Sequence, residues 1–164
     1  ENKMRIYASQ NAPFTIMYDS WKAHSRELVP MTPEEGRQNA EVILGKVLSN
    51  RKPPYSLAGG LFDVLEKSGG DMFKVSNDEI VSWVVKYFSL EGYDLFPASA
   101  CAVSSLKQAL DAGIVKHDET VMLNVTGGGM LGATRKGFIL KEPDLILSPD
   151  LPAEEIIAAV DKLF

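Results

Sequence analysis

Apolar positions fall into two rhythms along the chain. Ala40, Ile43, Leu44, Val47 and Leu48 recur at helical spacing, and Thr32-Pro33-Glu34-Glu35 stands before them. A hydroxyl followed three residues later by a glutamate, with proline at the first helical position, is a capping box. It predicts a helix over about 33–48. Ser76-Asn77-Asp78-Glu79 repeats the device and opens a helix with Ile80, Val81, Val84, Val85, Tyr87 and Phe88 on a broad apolar face, stopped by Gly92. The pattern predicts a short helix over 61–67 after a glycine turn, and another over 98–112, crowded in its first half with Ala98, Ser99, Ala100, Cys101, Ala102, Ser104 and Ser105 and followed by Gly113. Such small side chains let a helix come close to a sheet or a ligand. Pro152 with Glu154 and Glu155 opens a terminal amphipathic helix ending near Leu163.

The second rhythm is strand-like. Lys3 to Gln10, Phe73-Lys74-Val75, Asp94-Leu95-Phe96 and Leu145-Ile146-Leu147 read as short strands. Thr120-Val121-Met122-Leu123-Asn124-Val125-Thr126 is nearly continuous in apolar, β-favouring residues, the pattern of a strand covered on both faces. Strands alternating with helices predict an α/β fold, an open and mostly parallel sheet flanked by helices, in a single domain over 1–164. The chain starts in mid-pattern at Glu1, which reads as part of a longer, two-domain chain.

Composition narrows the function classes. Seventeen basic residues spread among 22 acidic ones give a net charge of -5, unlike a protein that binds nucleic acid by neutralising phosphates. No stretch approaches the ~20 apolar residues of a membrane span. Cys101, the one cysteine, cannot form an internal disulfide, which fits a reducing cytoplasmic setting. His24 and His117 have no partners at metal-ligand spacing and read as surface residues.

Gly127-Gly128-Gly129-Met130-Leu131-Gly132 matches G-x-G-x-x-G directly after the expected buried strand. A dinucleotide site needs those glycines to open a helix. Ala133 to Gly137, with Pro143 soon after, argue against a stable helix there. A glycine turn leaving the sheet and a glycine turn beside a ligand both remain open. Cys101 reads as an apolar filler, and Asp63 with Glu66 as a solvated pair. Arg51-Lys52, beside a glycine turn, has the charge to hold an anion.

Three segments together resemble a known family: Arg51-Lys52-Pro53-Pro54-Tyr55-Ser56-Leu57-Ala58-Gly59-Gly60-Leu61-Phe62-Asp63; Glu91-Gly92-Tyr93-Asp94-Leu95-Phe96-Pro97-Ala98-Ser99-Ala100; and Leu123-Asn124-Val125-Thr126-Gly127-Gly128-Gly129. In this order they resemble the C-terminal part of the threonine synthase-like, fold-type II enzymes that use pyridoxal 5'-phosphate (PLP). Ala12-Pro13-Phe14-Thr15-Ile16-Met17 and Trp21-Lys22-Ala23 are similar to that family too. The resemblance implies β-replacement chemistry, on the branch that exchanges the phosphate of O-phospho-L-serine for sulfite on the way to coenzyme M. It also implies that Thr126 would hydrogen-bond the cofactor's ring nitrogen, with Gly127 beside it, and that Ala58 and Gly59 would pass alongside the ring. Arg51 and Lys52 are candidates for the substrate's anion. Phe96 departs from the family, many of whose members carry an acid there. The family's cofactor-bearing lysine and its phosphate-binding glycine loop are expected upstream of Glu1, so this stretch alone is expected to be inactive, with no catalytic residue of its own. Exposed apolar surface would then make it self-associate. Two other readings stay open: an enzyme making threonine from O-phosphohomoserine, and a non-catalytic α/β binding module.

Overall fold

The computed structural model describes residues 4–138 and 142–163. Two compact units divide it, residues 1–132 and 133–164. The first is built on two parallel strands, β1 (Tyr7–Asn11) and β2 (Asp71–Val75), paired in register from Tyr7 opposite Asp71 to Asn11 opposite Val75. A long crossover joins them, as parallel pairing requires. It contains α1 (Ile16–Lys22), α2 (Pro33–Val42), a 3₁₀ turn at Lys46–Leu48 and α3 (Leu61–Ser68). Helices α4 (Asn77–Glu91) and α5 (Pro97–Asp111) follow β2.

Strand alternation sends side chains to two cores. Ala8 and Met72 join Trp21, Tyr55 and Leu65 on the side of α1, whereas Val75 joins Ile80, Ala100, Cys101 and Val103 on the side of α5. The small residues of α5 explain its closeness to the sheet: Ala100 and Cys101 have no exposed surface. The α/β class and the parallel pairing expected from sequence are present, with helices against the small sheet.

Both capping boxes form. Thr32 Oγ1 accepts from the Glu35 N–H while Glu35 Oε2 accepts from the Thr32 N–H, and Ser76 and Glu79 do the same for α4. Helix α2 nevertheless stops at Val42, short of the expected 48. Ile43 turns extended and is fully buried beside Phe14 and Ile16. Two distant amides then take over the backbone. Asn77 Nδ2 donates to the Val42 carbonyl, its Oδ1 accepts from the Leu44 N–H, and the Gly45 N–H donates to Asn11 Oδ1 at 2.9 Å. Val47, expected on the buried face, is 82% exposed.

Three expected strands are corrected. Asp94-Leu95-Phe96 contributes only an isolated antiparallel bridge, Leu95 to Gly128. Residues 120–126 join no ladder among the described residues, and Val121, Met122 and Val125 are exposed. Residues 145–147 also stay outside any ladder, with Ile146 exposed. Strand propensity alone does not make a ladder, which needs pairing with another strand, and none of the three pairs with β1 or β2 among the described residues. In the second unit α7 (Ala153–Val160) forms after Pro152 and stops before Leu163. No described helix is long and apolar enough to cross a membrane.

Candidate functional site

Phe96 caps the N-terminus of α5 and Pro97 starts it, its fixed φ suited to that position. The glycine strap 127–129 is fastened to this turn. The Gly127 N–H donates to Ser99 Oγ at 2.9 Å, and the Phe96 N–H donates to the Gly127 carbonyl at 3.2 Å. Two of the three glycines leave no room for a side chain. A Cβ on Gly128 would lie 2.1 Å from the Asp94 carbonyl oxygen, and one on Gly127 would meet the Phe96 ring at 2.9 Å. Gly128 also has φ 142, a backbone state L side chains rarely adopt.

A helix does follow the glycines, against expectation: α6 (Met130–Arg135). Its first amides are already occupied. Asp94 Oδ2 accepts from the Met130 N–H at 3.0 Å and Oδ1 from the Leu131 N–H at 3.1 Å, while the Gly129 N–H donates to the Asp94 carbonyl. A carboxylate seated on the first two helix amides competes with a pyrophosphate for them, which weighs against the dinucleotide reading on a different ground.

Thr126 stands where the unpaired run 120–125, anchored by Leu123 on the core, meets the strap. It is exposed, and it lines two concavities together with Gly127. One, of about 310 Å³, adds Tyr87, Tyr93 and Asp94; the other, of about 350 Å³, adds Lys46, Phe96 and Ser99. Its side chain therefore faces open space and not the apolar interior, although the buried strand expected to carry it is absent. No hydrogen bond engages its hydroxyl among the described residues, so the group is available.

The remaining candidates sit elsewhere. Ala58 and Gly59 are exposed and line neither concavity. The glycine pair answers to its own loop: a Cβ on Gly60 would lie 2.4 Å from the Pro54 carbonyl oxygen, and Gly59 has φ 76. Arg51 lays its aliphatic stem near Gly36, and neither it nor Lys52 forms an ion pair among the described residues or lines either of these two concavities. Asp63 accepts from Arg26 and from the Gly59 N–H, which hold its carboxyl below the usual range in a loop-fastening role. His24 and His117 are exposed. Burial pushes the Cys101 thiol up to about 11.

The sequence places Asp94 in an expected strand, Ser99 in a small-residue helix and both in a resembling segment, and assigns neither a role at the site. A serine in the first turn of a small-residue helix was the available signal. Lys46 was also missed. It is the one lysine lining either concavity among the described residues, and its Nζ is spent on the Ala40 and Glu41 carbonyls at 2.9 and 2.7 Å.

No protein-family model matches the chain. Among known proteins it is similar to the cysteate synthase of Methanosarcina acetivorans, 37% identical over 155 residues, which are 93% of this chain and 37% of that protein. It is 37% identical over 159 residues to the cysteate synthase of Methanocella paludicola, covering 95% of this chain and 37% of the relative. It is 41% identical over 128 residues to that of Methanosphaerula palustris, covering 76% and 29%. The chain thus spans about a third of the length of the relatives it matches.

Proposed function

We propose, for a chain that belongs by sequence to the cysteate synthase family, that it is the C-terminal portion of a PLP-dependent β-replacement enzyme. The enzyme would exchange the phosphate of O-phospho-L-serine for sulfite, giving L-cysteate for coenzyme M synthesis in the cytoplasm. The kinship to the cysteate synthases supports the reaction class. The observation that carries the site is Thr126: a neutral hydroxyl without an internal partner among the described residues, on a strap with open space beside it and glycines on its C-terminal side.

Those residues fit one edge of the cofactor. When bound, PLP supplies an electron sink that eases loss of the substrate's α proton and of its β phosphate. Thr126 would meet the ring nitrogen with a hydroxyl, which unlike a carboxylate does not hold a positive charge there. That restraint suits departure of a good leaving group over transamination. Gly127 keeps the strap beside Thr126 free of a side chain. Ala58 and Gly59 as ring neighbours, and Arg51 and Lys52 as holders of the substrate anion, rest on resemblance and charge alone.

The lysine that carries the cofactor belongs, in this reading, to another part of the enzyme. Lys46, the lysine nearest Thr126 by shared lining, has its ammonium committed to helix carbonyls. Incubating this chain with PLP is expected to give no lysine-linked chromophore; a specific one abolished by changing a single lysine would contradict the assignment. The function is tested on the full-length enzyme by following cysteate from phosphoserine with and without sulfite. Sulfite-dependent cysteate is the expected result, and threonine from O-phosphohomoserine in its place would overturn the reading.

A further inference from the structure

A hydroxyl can serve a ring nitrogen only if its backbone is held still, and upstream of Thr126 the anchor is apolar: Leu123 packs against the cluster of Val75, Ile80 and Leu95. Residues 120–125 join no ladder among the described residues, and Val121, Met122 and Val125 are exposed. The hydrogen bonds lie downstream, where the Phe96 N–H donates to the Gly127 carbonyl and two residues supply the other acceptors. Ser99 is 2% exposed, and its Oγ accepts from the Gly127 N–H, one residue beyond Thr126. Asp94 takes the next three donors: its carbonyl accepts from Gly129 at 2.8 Å, and its two carboxylate oxygens from Met130 and Leu131.

We propose that Ser99 and Asp94 are positioning residues for Thr126, pinning the strap from its C-terminal side so that the hydroxyl faces the concavities. This rests on the reading of Thr126 given above. The residue types follow from the geometry. Position 99 needs a short acceptor inside a helix turn packed at near-zero exposure, and serine supplies one where alanine would leave the Gly127 N–H without its partner. Position 94 must satisfy two amides at the start of α6 together, which needs two acceptor oxygens on one short side chain. It also explains why the segments 91–100 and 123–129, far apart in sequence, stand out together: they are one clamped unit.

The test is amide hydrogen exchange and backbone order on this chain, by nuclear magnetic resonance, for wild type, Ser99→Ala, Ser99→Thr and Asp94→Ala. Ser99→Ala is expected to speed exchange at Gly127 about tenfold, the scale of one lost hydrogen bond, and to lower order at Thr126. Amides in the middle of α5 should keep their wild-type rates, which a merely structural role in that helix would not allow. Ser99→Thr, retaining the hydroxyl, should restore both readouts, and Asp94→Ala should speed exchange at the Met130 and Leu131 amides. Unchanged order at Thr126 in Ser99→Ala, or uniform acceleration across α5, would overturn the proposal. Neither readout involves the cofactor, so a full-length enzyme that makes no cysteate would sink the functional reading while the clamp stood.

Discussion

Cys101 and Asp71 show how position sets the chemistry of single side chains. The Cys101 thiol has no exposed surface and is pushed up to about 11 by burial, so little thiolate exists at neutral pH. Iodoacetamide should leave it unmodified in the folded chain and label it after denaturation; rapid labelling of the native protein would contradict its burial. Its role as filler followed from the small residues around it in sequence. Asp71 could not be read that way, because its partners come from across the fold. Burial pushes its carboxyl up, and bonds from Lys22 Nζ, the Met72 N–H and Trp21 Nε1 outweigh that, leaving it below the ordinary range. A depressed folded-state value means stability present above the unfolded value and lost as pH falls through the folded one. Acid unfolding should therefore steepen below about pH 4, and Asp71→Asn should be weaker at neutral pH with a flatter acid limb. Identical acid profiles would contradict the assignment.

Among the elements, those that formed as expected are the ones whose signals are local. The boxes at Thr32 and Ser76, the glycine stops at Gly92 and Gly113 and the small-residue helix each involve residues within a turn or two of one another. The failures involve distant partners. Helix α2 ends early because Asn11 and Asn77 claim its last turn from 30 or more residues away. Asn11, fully buried, donates to the Val75 carbonyl and accepts from Gly45. Asn11→Ala should cost about 1–3 kcal/mol, the penalty for stranding those groups, measured by urea denaturation; a change within experimental scatter would contradict the role. The strand pattern of 120–126 is a propensity that finds no strand partner among the described residues, and composition carries no record of which strands will pair. For the site, the same division holds. Thr126 and the glycines were visible in sequence, whereas the fastening by Asp94 and Ser99 emerges only when two remote segments meet.

At the scale of the whole molecule, apolar surface is left uncovered in a regular array. Val81, Val85 and Phe88 follow one another along α4 at helical spacing, with 52%, 66% and 37% of their surface exposed. Only the Ile80 side of the apolar face expected for this helix is buried. Patches of this kind drive association, so light scattering should show the chain self-associating as concentration rises, and Val85→Glu should reduce it; a clean monomer at every concentration would contradict this. The same uncovered surface accords with a chain that spans about a third of its relatives' length. The central claim concerns one hydroxyl of the proposed enzyme, and steady-state turnover of the full-length protein with phosphoserine and sulfite tests it most directly. Thr126→Val should lower kcat by about tenfold or more, roughly the worth of one hydrogen bond, with Thr126→Ser close to wild type. Thr126→Val turning over at the wild-type rate would contradict it.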